Sequence, residues 1–350
     1  MMTGIVICMA AGLLAMWLGA LQQILGAPII GLFLGIIISN AAPKPLISKM
    51  SGGCSFCAKY FLRIGIILVG GTLSFNAIIE TGRSALPYIL FSMSAAFIVA
   101  FFLSRRMKVS AKTGVLIGGG TAVCGGTAIA ALSAIIKARK DETAYAITAI
   151  FLFDIIAALL WPYVAAALNF SPEQFGLLAG VAINNVASVS AAGETFNNLM
   201  GAARLSASGA SGGDLATITK LTRVALLIFV AVIATIICQV QAKRSVGADH
   251  KPSPVIKNIA CAFPYYVLGF LLLAICNTAL GFSTIAVSGT NMSAALKAAN
   301  TYFITAALIG IGCGVRLAEF FSKGVRPMLL GGITWAAISI LALLYVSLQF

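Results

Sequence analysis

Two stretches concentrate glycine with small hydroxyl, thiol and amide side chains inside otherwise apolar sequence. The first is GGGTAVCGGTAIAA, from Gly118 to Ala131. Gly118, Gly119, Gly120, Gly125 and Gly126 let the backbone leave a helix there. A half-helix opening near Thr127 would present unpaired amides at its N-terminus. Such an end carries partial positive charge and binds anions, and Thr121, Cys124 and Thr127 add small polar side chains beside it. The second stretch, GVAINNVASVSAAG, runs from Gly180 to Gly193. Its Asn184, Asn185, Ser188 and Ser190 offer donors and acceptors without fixed charge. Close packing of small-residue helices is the competing explanation of either motif alone. Finding two such motifs, each pairing glycine with amides or hydroxyls, favours a binding site for a small anion.

Ionisable groups within apolar runs are the next candidates. Asp154, in TAIFLFDIIAALLWP, is the only carboxylate deep in such a run. It reads equally as a coupling group for protons or cations and as the structural partner of an interior Arg or Lys. Arg63 opens RIGIILVGGTLSF, while Lys220 and Arg223 lie in ATITKLTRVALLIF near the end of an apolar segment. Snorkelling to the headgroups accounts for Lys220. Arg63 and Arg223 are read as anion-guiding residues or as interfacial anchors.

The elements that position these residues are membrane helices. Hydrophobic residues make up 60% of the 350-residue chain and charged ones only 9%, with a mean hydropathy of +1.04, which excludes a water-exposed surface. At about 20 apolar residues per crossing, the candidate segments are Thr3–Leu21, Ile24–Ser39, Phe56–Phe75, Ala85–Leu103, Thr113–Ile136, Thr143–Leu168, Gln174–Leu199, Val224–Val240, Ile259–Phe282, Ala298–Val315 and Met328–Leu348. Thr113–Ile136 and Gln174–Leu199 contain the two glycine motifs, and each is long enough either to cross or to form a re-entrant hairpin. The expectation is therefore an all-α polytopic membrane protein with 9–11 transmembrane segments, two of them broken or re-entrant, in a single domain over 1–350. Lipid tolerates such irregular backbone only where it is buried in protein or lines a cavity, and paired broken segments are how many transporters build a substrate site. Gly201–Thr219 and Gln241–Lys257 read as connecting loops, the latter carrying the lone His250.

Basic residues collect in alternate loops, at Lys44, Lys49, Lys59, Arg105, Arg106, Lys108, Lys112, Lys243, Arg244, Lys251, Lys257, Arg316, Lys323 and Arg326. By the positive-inside rule that side is cytoplasmic, as is the N-terminus. Lys137, Arg139 and Lys140 join it only if Thr113–Ile136 re-enters. GGTLSFNAIIETGRSALP from Gly70 resembles GCGVRLAEFFSKGVRPML from Gly312 on an oppositely directed helix. The two glycine motifs also match, which points to inverted repeats over roughly 22–168 and 172–350.

The net charge of +14 follows from the positive-inside loops and anionic lipid. Nucleic acid is not an expected partner, because the aromatic residues lie in the spans rather than among the basic loops. Cys124, Cys261, Cys276 and Cys313 read as small intramembrane hydrophobes. Cys54 and Cys57 form a lone CxxC without the further ligands a metal needs, so no metal and no cofactor is expected. No HExxH, second deep aspartate or nucleophile–base pair is present, so the chain is not expected to be an enzyme. A channel lined by hydroxyls and carbonyls remains an alternative.

RIGIILVGGTLSF, CGGTAIAA, FGLLAGVAINNVASVSAAG, TKLTR and GCGVRLAEFFSKGVRPMLLGG with Trp335 together resemble the sulfate exporter family of bacterial membrane proteins, over Arg63 to Trp335. The resemblance implies a fold similar to bile-acid sodium symporters, with inverted repeats, a panel of helices and a core of crossed, unwound helices. It also implies an elevator-like secondary transporter of the bacterial inner membrane, expected as a homodimer by analogy with such carriers, moving sulfate or another sulfur oxyanion or sulfonate. A carrier of an organic carboxylate coupled to sodium is the alternative cargo reading. On this reading Gly120, Thr121, Cys124, Gly125, Gly126, Thr127, Asn184, Asn185, Ser188, Ser190, Arg63 and Arg223 contact substrate and Asp154 serves coupling by proton or sodium. Family members carry a His-Asp pair where this chain has Asn184 and Asn185, and Gln in place of Ser188. The amides remove titratable groups from that spot.

Overall fold

A computed structural model describes residues 1–21, 26–201, 205–206, 209–245, 265–287, 290–315 and 325–349. Among the described residues the secondary structure is helical apart from one short antiparallel pair, β1 (Ala286–Val287) and β2 (Thr290–Asn291). Seven helical spans are long and apolar enough to cross a bilayer. They are α1 (Met2–Leu21), the composite α3 (Lys44–Phe56) and α4 (Leu62–Gly70), α5 (Phe75–Arg106), α8 (Lys140–Ala167), the composite α11 (Gly212–Ala225) and α12 (Leu227–Ser245), α14 (Met292–Gly312) and α15 (Val325–Gln349). Two shorter apolar helices join them, α2 (Ala27–Ala41) and α13 (Tyr265–Leu280). Trp17, Phe102, Phe229 and Ile340 are among the many large apolar side chains left on the outside. In water they would be a liability; in lipid they are the solvent-matched surface, and the chain is a multi-pass membrane protein.

Two segments differ from the sequence reading. The span expected to begin at Phe56 begins at Lys44, and a π-helical turn at Cys57–Phe61 joins its two halves, so Lys49 and Lys59 lie within it rather than in a loop. The loop expected over Gly201–Thr219 is helical from Gly212 onward, and the span expected at Val224 starts there too. Ser211 caps this helix reciprocally with Asp214, a start signal hidden in a run of small polar residues. His250, Cys261 and half of the Gly312 repeat candidate, including Arg316 and Lys323, lie outside the described residues.

Both glycine motifs are breaks, and both segments turn back. In the first, α6 (Ala111–Ala122) gives way at Val123–Gly125 to α7 (Gly126–Ile135). Gly125 adopts φ +68°, a conformation that L side chains rarely take. A Cβ at Gly120 would lie 3.0 Å from Ile129, while the one at Gly119 would run into Leu132, so α7 folds antiparallel onto α6 at very short range. Lys112 Nζ donates to the Lys137 carbonyl at 2.8 Å, tying the start of this hairpin to its end. In the second segment, α9 (Pro172–Ala182) is joined by extended Ile183–Asn185 to α10 (Val186–Met200). Phe175 and Phe196, at the two outer ends, stack at 4.0 Å with an interplanar angle of 1°. Because α8 crosses between the hairpins, they enter from opposite ends of the molecule.

The helices pack in two groups. One holds α1, α2, α3–α4, α13 and α14; the other holds α5, both hairpins, α8, α11–α12 and α15. Where they meet, Ile29 and Leu32 of α2 and Ile304 and Leu308 of α14 pack on Ala187 and Ala191 of α10. The Gly26 amide donates to Thr195 Oγ1 at 3.1 Å across the same seam.

Candidate functional site

A break at bilayer depth leaves backbone groups without partners, and several of those here are met by particular side chains. Arg223 of α11 is fully buried. Its Nε and Nη2 donate to the Ala122 carbonyl, Nη2 also to Thr121 O at 2.7 Å, and Nη1 to Val181 O at 2.6 Å and Gly180 O at 3.2 Å. One guanidinium therefore holds the inner ends of both α6 and α9. Lys220 Nζ donates to Ile183 O at 2.6 Å and Trp335 Nε1 to Ala182 O at 2.9 Å, so the freed carbonyls of the second break are all bonded. Lys220 does not snorkel: it is fully buried, because the run of carbonyls from Gly180 to Ile183 gives its ammonium a partner. Arg223 is neither an interfacial anchor nor free to meet a ligand, since its donors are committed to backbone oxygens.

Asp154, midway along α8, answers the other end of the second break. Its Oδ1 accepts from the Asn184 and Asn185 amides, each at 2.8 Å, and Oδ2 accepts from Ser188 Oγ at 2.5 Å. The carboxylate thus caps α10, where the helix field favours negative charge. Both its oxygens are engaged with the tip, which supports the structural reading of this residue, with backbone amides as partners in place of the interior cation considered from sequence.

The two tips meet beside α8. A Cβ on Gly125 would sit 3.4 Å from Ile150 and 3.7 Å from Asn184. A cavity of about 710 Å³ opens off this junction, between the two helix groups. From the hairpin group it is lined by Cys124, Gly126, Thr127, Asn185, Val186 and α8 residues from Ala144 to Phe151. From the other group come Lys59, Leu62, Arg63, Ile66, Tyr266, Gly310 and Ile311 of α14, and Gly314 and Val315 just after it. These α8 residues lie between the tips and the end carrying Lys112 and Lys137, so the cavity occupies that half of the molecule.

Of the residues singled out from sequence, Arg63, Cys124, Gly126, Thr127 and Asn185 reach the cavity. Gly120, Thr121, Gly125, Asn184, Ser188, Ser190, Arg223 and Asp154 lie outside its lining and build the tips behind it. Cys124 Sγ and Thr127 Oγ1 bond to each other at 2.6 Å. Asn184 is fully buried, and neither its Nδ2 nor its Oδ1 has a protein partner. Lys59, Phe151 and Tyr266 were not anticipated. Lys59 stands four residues before Arg63 within the segment expected over Phe56–Phe75, a helical spacing that could have paired them, but the charge count assigns it to a loop.

The electrostatics of the cavity are one-sided. Among the described residues its charged lining residues are Lys59 and Arg63, and no carboxylate lines it. The N-terminus of α7 faces it with a glycine, Gly125, in the cap position, whereas at α10 Asn185 Oδ1 accepts from the Ala187 amide and Asp154 takes the two amides just before the helix. Elsewhere, Cys8 Sγ lies 3.9 Å from Cys54 Sγ near the CxxC. Among the described residues no group of three His, Cys, Asp or Glu is placed to hold a metal ion.

Three relatives share this architecture's sequence over nearly their whole length. A UPF0324 membrane protein of Fusobacterium nucleatum is 32% identical over 348 residues, covering 97% of this chain and 96% of that protein. A UPF0324 membrane protein of Streptococcus agalactiae is 32% identical over 346 residues (97% and 95%), and one of Streptococcus mutans is 31% identical over 345 residues (98% and 95%). The model of the family described as conserved hypothetical protein 698 matches residues 3–331. With the family model spanning most of the chain and the relatives aligned end to end, this protein belongs to the UPF0324 family of membrane proteins.

Proposed function

We propose that this chain is a secondary active carrier that moves a small anion, in the class of sulfur oxyanions and sulfonates, across the bacterial inner membrane. The observation that carries the reading is the N-terminus of α7, with glycine in its cap position, opening into a cavity whose charged groups among the described residues are both cationic. An anion there would be met by backbone amides, Thr127 and Asn185 from the hairpin group and by Arg63 and Lys59 from the other group. A ligand held between two helix groups can travel with one as it slides against the other, and opposed hairpins are what an inverted repeat would build. The concentration of Lys and Arg at the end near Lys112 and Lys137 supports a cytoplasmic position for that end and for the N-terminus.

A channel is disfavoured by the other half of the seam, where α2 and α14 close on α10 through Ile29, Leu32, Ile304 and Leu308. Counterflow in proteoliposomes separates the two: a carrier gives saturable uptake stimulated by anion on the far side, a pore gives flux that rises without saturation.

Thr127→Phe is the test of the site itself. Thr127 is exposed to the cavity, so an aromatic ring can occupy that space without displacing a packed neighbour. The expected result is loss of saturable uptake by at least tenfold with a melting temperature within a few degrees of wild type. Normal uptake by the folded variant would remove α7 from the binding site.

A further inference from the structure

We propose that the cargo is an organic anion with one charged head and an apolar body, such as a short alkyl- or arylsulfonate, in preference to bare inorganic sulfate. The inference rests on the anion-carrier reading above and narrows it. A cavity of about 710 Å³ is in the size range that encloses whole organic ligands, far beyond the needs of a tetrahedral oxyanion. Its donors do not surround that space. The α7 amides, Thr127 and Asn185 belong to one wall, and Arg63 and Lys59 face it from the other helix group.

Much of the remaining lining is apolar, notably Leu62, Ile66, Ile147, Phe151 and Ile311. Phe151 closes directly over the helix end, its ring 3.5 Å from where a Gly126 Cβ would be. A dianion seated at this wall would find protein donors on only a fraction of its surface and apolar side chains on much of the rest, and whatever water it sheds against them is lost at a cost. A single head group at the helix end needs only that fraction. Its hydrocarbon would then lie against Phe151 and Ile147, releasing water from both.

The test is titration calorimetry of the purified full-length protein with the linear sulfonates from methanesulfonate to hexanesulfonate, with benzenesulfonate and with sulfate. The matching alcohols serve as neutral controls. Affinity is expected to rise about fourfold per methylene over the first members, with hexanesulfonate and benzenesulfonate binding more tightly than sulfate and the alcohols not binding. Phe151→Ala, or Ile147→Ala where the first variant is unstable, should reduce the gain per methylene. A series that does not strengthen with chain length, or sulfate binding more tightly than every sulfonate, overturns this inference and leaves the anion carrier standing. No saturable binding or counterflow with any anion overturns both.

Discussion

Replacing Arg223 with methionine is expected to abolish recovery of folded, monodisperse protein from membranes. The guanidinium serves the carbonyls of Thr121, Ala122, Gly180 and Val181, at depths where no water can replace it. A buried carbonyl that loses its donor costs about 1–3 kcal/mol. Four together approach the roughly 5–15 kcal/mol by which a folded domain is stable. Methionine keeps the aliphatic stem of the side chain and removes the guanidinium, so the loss combines the missing hydrogen bonds with a small void. Fluorescence-detected size exclusion and a melting curve in mild detergent check it. Arg223→Lys, one point charge for a five-donor fork, should be intermediate. A methionine variant that melts with wild type would show that the two breaks do not depend on this clamp.

The second large effect is expected at Asp154, and two substitutions divide it. Asp154→Ala removes the acceptor for two tip amides and the Ser188 hydroxyl, leaving buried donors unpaired. By the same reasoning it costs several kcal/mol, and the melting temperature should fall by ten degrees or more. Asp154→Asn keeps an oxygen for the amides while its NH2 can donate to Ser188 Oγ, so folding should survive with a smaller loss. The bonding of both oxygens to the tip leads us to expect that the asparagine variant, where it transports, retains the wild-type dependence on pH and sodium. A changed dependence would instead make Asp154 the coupling group.

Much of this arrangement could be read in the residues. The glycine clusters mark both breaks, because so many glycines in an apolar run have no other use than backbone freedom or close approach. The lone deep carboxylate at Asp154 stood out for the cost of burying it. Whether the broken segments cross or return was a matter of three basic residues, Lys137, Arg139 and Lys140, and is decided in the fold by contacts such as Lys112 to Lys137.

The partners of Arg223 and Lys220 were beyond sequence reading. A side chain that bonds backbone carbonyls about a hundred residues away has no complementary residue type to reveal it, and TKLTR beside a Gly/Ser-rich run looks like the edge of a span. Lys59 was hidden for a related reason. The π-helical turn at Cys57–Phe61 keeps a polar stretch helical and brings Lys59 and Arg63 to one cavity wall, where the charge count indicated a loop.

The account stands on two hairpins that enter from opposite faces and meet at their tips. Vesicle-sidedness labelling measures this most directly, using single cysteines in place of Lys112, Arg139, Asn169 and Leu205 in a background with all eight native cysteines replaced. With a membrane-impermeant maleimide on right-side-out and inverted vesicles, positions 112 and 139 should react from one side, and 169 and 205 from the other. Labelling of 112 and 139 from opposite sides, or of 169 and 205 from opposite sides, would mean that a broken segment crosses the bilayer, and the meeting of the tips would be contradicted.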